Sequence, residues 1–263
     1  MDMGLRGMVA FVAAASQGLG EAIALGLARE GASVAICARR QEAIEAVAER
    51  VWRETGANVL PVRADVTDKA DIEAAIALTL ERLGGLDILV TNAGGPPAGE
   101  FTRHDDAAWQ KAFELNLLST VRMVRLALPH LQKSGRGRII NMTSTSVKQP
   151  VEGLVLSNSI RSAVIGLAKT LSVELAPHGI TVNNIAPGRF DTDRVRQLDA
   201  GRARTLGISE DEARELAIRQ IPLGRYGLPE EMAHLAVFLA SDKAAYITGT
   251  TIQIDGGMVK GSL

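Results

Sequence analysis

Cysteine occurs once, at Cys37, so neither an intrachain disulfide nor a thiolate-rich metal site can form, and a reducing compartment is expected. Aromatic side chains are almost as scarce, with two Trp, two Tyr and five Phe in 263 residues. A core of Ala, Val, Leu and Ile with 26 glycines suits close helix-on-sheet packing better than an aromatic-rich β-sandwich. No charge of one sign dominates: 29 Lys plus Arg stand against 30 Asp plus Glu, which argues against nucleic acid as a partner. No apolar run approaches the roughly 18 residues that a membrane span requires. Arg6 followed by residues 7–15 imitates a short signal peptide, but Asp2, the single basic residue and the glycines just beyond favour a buried strand in a cytoplasmic protein. His104, His130, His178 and His234 scatter without metal-ligand spacing, so no metal is expected.

Apolar residues make up 46% of the chain, enough to exclude disorder. Short apolar runs alternate with helical patterns. The expected strands are Val9–Ala14, Ser33–Cys37, Val59–Val62, Leu86–Thr91, Arg138–Met142, Thr181–Ala186 and Thr251–Ile254. Several are apolar at consecutive positions, as strands buried on both faces are. The expected helices are Gly20–Arg29, Gln41–Glu54, Lys69–Arg82, Ala107–Gln132, Asn158–Leu175 and Glu230–Leu239. In the fifth, Ile160, Val164, Leu167, Leu171 and Leu175 recur at helical spacing. Such alternation predicts a three-layer α/β fold, a doubly wound parallel sheet of about seven strands with helices on both faces. One dinucleotide-binding domain over 1–263 is expected. The segment 189–221 has no strand and is rich in arginine. It reads either as a lid over the crevice at the carboxyl ends of the strands or as surface helices with a basic face.

The first strand runs into Ser16-Gln17-Gly18-Leu19-Gly20 and then a helix. Glycines there let a phosphate approach the backbone at the helix N-terminus, where free N–H groups and the positive dipole end favour an anion. With its setting in a βαβ series, this loop resembles the glycine motif of the short-chain dehydrogenase/reductase family, although Ala13 and Ala14 stand where that motif opens with Thr-Gly. The resemblance extends over nearly the full length. Asn92-Ala93-Gly94 matches an Asn-Ala-Gly motif, Asn116 a structural and proton-relay asparagine, Ser144 the catalytic serine, and Pro187-Gly188 a motif flanking the nicotinamide. Asp65-Val66 resembles an adenine-contacting pair. An alanine at 14 is expected to need negative φ and to place a methyl group near the adenine ribose, weakening cofactor binding.

The family's Tyr-x-x-x-Lys register falls here on Ser157 and Arg161, and the only tyrosines are Tyr226 and Tyr246. The usual proton donor is therefore absent. A serine hydroxyl is a far weaker acid than a phenol, and an arginine stays charged and relays no proton. Either the site has decayed to a non-catalytic dinucleotide-binding sensor or scaffold, or the proton comes from elsewhere. Lys148, Glu152, or a water held by Ser144, Ser157 and Asn116 are the alternatives. After the second strand stand Arg39 and Arg40 where a carboxylate would select NAD, so the cofactor is expected to be NADP(H) in preference to NAD(H). The resemblance implies an oxidoreductase moving hydride between nicotinamide and a carbonyl/alcohol substrate, with Arg161 also on the ribose. The cations of 189–221 suggest an anionic substrate. The resemblance further implies a homotetramer or homodimer built through the 107–132 and 158–175 helices.

Overall fold

The computed structural model describes residues 2–261. Seven parallel strands form one sheet: β1 (Val9–Val12), β2 (Ser33–Ala38), β3 (Val59–Arg63), β4 (Ile88–Thr91), β5 (Arg138–Met142), β6 (Thr181–Pro187) and β7 (Thr251–Ile254). Their order is β3-β2-β1-β4-β5-β6-β7. The reversal between β1 and β4 makes a topological switch point, and an open sheet of this kind binds ligands at the carboxyl ends there. The doubly wound α/β fold expected from the sequence is the one observed.

Period-two alternation explains the two cores. Ala10 and Val12, Val34 and Ile36, Ile88 and Val90, and Ile140 point to one face. They meet Ile23 and Leu27 of α1 (Gly18–Arg29), Ile44 and Val51 of α2 (Gln41–Thr55), and Met232 and Ala236 of the C-terminal helix Pro229–Ala240. Phe11, Ala35, Leu89, Ile139 and Val182 point the other way, against α3 (Lys69–Leu83) and the helices that follow it.

The helix expected over 107–132 is built in three pieces: α4 (Asp106–Phe113), a π turn (Glu114–Leu118) and α5 (Ser119–Ser134). Next comes α6 (Val155–Glu174), whose most buried side chains include Ser157, Arg161, Val164 and Ala168. Ile160, Leu167 and Leu171 are only half-buried. The apolar stripe singled out in the sequence thus divides between buried positions, Val164 and Leu175, and the flank of α6, because the buried face of the helix is shared with the cleft residues Ser157 and Arg161. Segment 189–221 carries α7 (Asp193–Leu206) and α8 (Glu210–Ile218), and α9 (Pro229–Ala240) follows.

A polar ladder crosses the middle of the sheet. Thr91 Oγ1 donates to Asn141 Oδ1 (2.8 Å), Asn141 Nδ2 to Asn184 Oδ1 (3.0 Å), and Asn184 Nδ2 to Thr251 Oγ1 (3.1 Å). These are directly opposed residues of β4, β5, β6 and β7. Mutually satisfied, with Thr91, Asn141 and Asn184 buried, they pin the register of the four strands.

Candidate active site

A cleft of about 930 Å³ opens at the carboxyl ends of the strands. It gathers the cofactor residues expected from the sequence together with Ser144, Ser157 and Arg161, whereas Asn116, Lys148 and Glu152 do not line it. Ser16, Gln17, Gly18, Leu19 and Gly20 enter after β1, Arg39 and Arg40 after β2, Asp65 and Val66 after β3. Asn92, Ala93 and Gly94 enter after β4, Ser144 after β5, Pro187 and Gly188 at the end of β6, and Ser157 and Arg161 from α6.

The loop after β1 is built for a close backbone approach. Gly18 has φ +64, and a Cβ on Gly20 would lie 2.5 Å from the Ala14 carbonyl oxygen. No side chain caps α1, which leaves its first N–H groups free for an anion. Ala14 departs from expectation. It adopts φ +49, the only non-glycine residue with positive φ among the described residues. The turn overrides alanine's preference because both flanks are held: Ala15 N–H donates to Cys37 O (3.0 Å) and Asn92 Nδ2 to Ala14 O (3.3 Å). This conformation also ends β1 at Val12 rather than Ala14.

Arg39 and Arg40 are exposed and have no carboxylate partner among the described residues. Arg40 is the N-cap of α2, next to a positive dipole end, where a cation is unfavourable unless an anion joins it. These features fit a phosphorylated dinucleotide: a free helix terminus and glycine cradle for the pyrophosphate, and two unpaired guanidinium groups one strand away.

At the other end of the cleft, Ser144 caps a short turn, its Oγ accepting from Ser146 N–H (3.1 Å), which leaves its own O–H free to donate. Ser157 is buried one helical turn from Arg161 on α6. Arg161 Nη1 donates to the Met142 carbonyl (2.9 Å). Burial, and then repulsion from Arg194, pushes the Arg161 guanidinium down to about 10, so it remains a cation at neutral pH. Asn116 stands behind the wall rather than on it. Its Nδ2 donates to Gly94 O (3.0 Å), and its Oδ1 is buried without a partner. Lys148 and Glu152 are exposed and do not line the cleft. No tyrosine lines it either: Tyr246 is fully exposed, and the Tyr226 hydroxyl donates to Asp199 Oδ2 (2.6 Å).

Sequence reasoning offered segment 189–221 as a lid over the crevice but singled out none of its residues as cleft-lining. Thr192, Arg194, Val195 and Leu198 line the cleft, and Arg194 Nη2 reaches across to Pro96 O (3.1 Å). The arginine-rich run is largely self-neutralised: Arg189 pairs with Asp199 (2.7 Å), Arg196 with Asp191 and Asp193, Arg214 with Asp191, and Arg219 with Glu215. The Arg214 guanidinium stacks 4.8 Å from the Tyr226 ring centroid. The basic face expected there is smaller than the arginine count suggests.

An open α/β sheet with a glycine-turn helix at its switch point defines a dinucleotide-binding fold. The enoyl-(acyl carrier protein) reductase family matches residues 13–259. A 3-oxoacyl-[acyl-carrier-protein] reductase of Vibrio cholerae serotype O1 is 37% identical over 97% of this chain and 99% of its own length. L-sorbose reductase from Gluconobacter frateurii, solved with NADPH and L-sorbose, superposes with TM-score 0.95 at 32% identity, over 99% of this chain and all of that one. An NADPH-dependent reductase of bacilysin biosynthesis superposes with TM-score 0.92 at 33% identity, over 97% and 99%. The chain belongs to the short-chain dehydrogenase/reductase family, whose members are NAD(P)-dependent oxidoreductases.

Proposed function

We propose that the chain is an NADP(H)-preferring oxidoreductase acting on a carbonyl/alcohol pair, with Ser157 and Arg161 in place of a tyrosine–lysine pair. The observation that carries this reading is the single cleft that unites the glycine turn, the unpaired Arg39 and Arg40, and Ser144 with Ser157. The NADPH named for the sorbose and bacilysin-pathway reductases supports the cofactor assignment.

When bound, the nicotinamide supplies or accepts a hydride. The chain's residues hold the rest. Gly18 to Gly20 and the start of α1 cradle the pyrophosphate, Arg39 takes the 2′-phosphate with Arg40 beside it, and Asp65 and Val66 frame the adenine. Asn92, Ala93 and Gly94 with Pro187 and Gly188 flank the nicotinamide, and Arg161 reaches its ribose. Ser144 donates a hydrogen bond to the substrate oxygen, and Ser157 holds that oxygen or a water next to it. Arg161 contributes a fixed positive field that favours a developing alkoxide in a poorly solvated site. The unpartnered Asn116 Oδ1 is a buried acceptor suited to hold a water, which supports a water-borne proton route behind Gly94.

The substrate is a small carbonyl or alcohol, anionic in character. The segment 189–221 serves as a lid on a single domain. Association into a homotetramer or homodimer uses the α4–α5 and α6 faces, where half-buried Ile160 and Leu167 and the exposed Val173 offer apolar area. The cytoplasm is the proposed location.

The test is calorimetric binding of NADPH and NADH, alongside a panel of carbonyls and alcohols followed by nicotinamide absorbance. Tighter NADPH binding with turnover of at least one pair is expected. Failure to bind either dinucleotide refutes the reading. Binding without turnover across the panel favours a non-catalytic sensor or scaffold.

A further inference from the structure

The nicotinamide end of the cleft carries positive charge with no counterion. Five cations line the whole cleft: Arg39, Arg40, Lys111, Arg161 and Arg194. None forms an ion pair within 4.0 Å among the described residues, although other arginines of the chain pair freely. The three carboxylates that line it are engaged elsewhere. Asp65 accepts from Thr67 N–H and Oγ1, Glu114 from Gln110, and Asp193 pairs with Arg196.

Spacing decides which anion answers which cation. Adjacent strands lie about 4.8 Å apart, so the end of β2, with Arg39, and the end of β5, beside Arg161, are separated by three spacings, roughly 14 Å. The glycine turn after β1 is two spacings from β5, roughly 10 Å. The phosphates of a dinucleotide held at β1 and β2 therefore do not neutralise the Arg161 end. Arg161 is buried with a single carbonyl as partner, an expensive state for a cation unless a ligand completes it. Arg194 faces the same space from the opposite wall. It is carried by the first turn of α7 and hooked over Gly95 and Pro96, its Nη2 within 3.1 Å of where a Gly95 Cβ would stand.

We propose that Arg194 and Arg161 clamp a carboxylate of the substrate between lid and floor, so that the carbonyl compounds this site accepts are oxo acids and the alcohols are hydroxy acids. This rests on the cleft being a nicotinamide site. The hydroxyls of Ser144 and Ser157 hold the reacting oxygen, and the carboxylate lies towards the lid. The mutual repulsion of the two guanidinium groups, which helps to lower Arg161, is relieved when the anion enters.

The decisive experiment titrates acetoacetate and its methyl ester by calorimetry into protein saturated with NADP⁺, which has no hydride to give. The acid binds roughly ten- to a hundredfold more tightly than the ester, the worth of one charge-assisted hydrogen bond. Arg194→Gln removes that preference and leaves NADP⁺ affinity within about twofold, while Arg194→Lys retains part of it. Arg194 is exposed and makes one backbone bond, so both variants fold. Equal binding of acid and ester, or no detectable acid binding, overturns the clamp. So does an Arg194→Gln protein that loses NADP⁺ and acetoacetate alike, since the cation then serves the cofactor's pyrophosphate. If NADP⁺ itself fails to bind the native protein, the functional reading beneath the clamp is what fails.

Discussion

Replacing Ala14 with glycine removes one methyl group from the turn that carries the dinucleotide site. At φ +49 the alanine sits in left-handed space, which costs an L-residue roughly 1–2 kcal/mol. Glycine adopts that conformation freely but loses about 0.4–1 kcal/mol by gaining freedom in the unfolded chain. The difference predicts a stabilisation of about 0.5–1 kcal/mol, a rise of roughly 1–4 °C in Tm for a chain of this size. No hydrogen bond is sacrificed, because the contacts at this point use the Ala14 carbonyl and the Ala15 N–H. Ala13 supplies the control. It is fully buried among Phe11, Ala35 and Cys37 and lacks positive φ, so Ala13→Gly lowers stability by about 1 kcal/mol. Urea unfolding of the two variants tests the pair of signs directly. Because the Ala14 methyl lines the cleft, NADPH affinity of Ala14→Gly is expected to rise or hold. A destabilised Ala14→Gly, or one that binds NADPH less tightly, refutes the strain argument.

Three further outcomes follow from the same geometry. Arg39→Ala weakens NADPH by one or two charge-assisted bonds, roughly 1.5–3 kcal/mol each, with little effect on NADH; equal losses in calorimetry contradict the 2′-phosphate assignment. Asp199→Asn removes the charge that joins Arg189 to the Tyr226 hydroxyl, a phenol pushed up to about 12 by burial and by Asp199 itself. With Arg189 partly exposed, the cost is about 2–3 kcal/mol, and limited proteolysis within 189–221 accelerates; an unchanged cleavage pattern means that this network does not hold the lid. Burial pushes the Cys37 thiol up to about 12, so the native protein resists iodoacetamide through pH 9 and reacts on unfolding in urea. Rapid labelling of the folded chain would place Cys37 nearer solvent than the sheet allows.

Strands buried on both faces announce themselves as consecutive apolar residues, as residues 34–38 do, and β5 and β7 run over the residues expected, Arg138–Met142 and Thr251–Ile254, although β7 is a half-buried edge strand. The sheet order follows from alternation of strand and helix, and the cleft follows from the order. What stayed hidden depends on partners distant in sequence. The conformation of Ala14 is imposed by Cys37 and Asn92. The π turn at Glu114–Leu118 leaves no compositional trace, because its residues read as ordinary helix. Asn141 and Asn184 look like interruptions of apolar strands until the register sets them side by side. The rotation of α6 is of the same kind: periodicity finds an apolar stripe, but the cleft decides which face meets the sheet. Arginine counting overstated the charge of 189–221, since Asp191, Asp193 and Asp199 are near in space as well as in sequence. Arg194 emerges as the residue of that run that crosses to the opposite loop, a fact of geometry alone.

The central claim is that protonation at this site does not depend on a titrating side chain at position 157. The measurement is kcat/KM of Ser157→Ala on the best substrate found, set beside Ser144→Ala. Loss of one hydrogen bond predicts a fall of about tenfold for Ser157→Ala, with a larger loss for Ser144→Ala. Removing a positioned general acid typically costs about 10²–10⁴-fold. A thousandfold or greater collapse of a robust activity on Ser157→Ala alone would make that serine the catalytic acid and contradict the water-borne route.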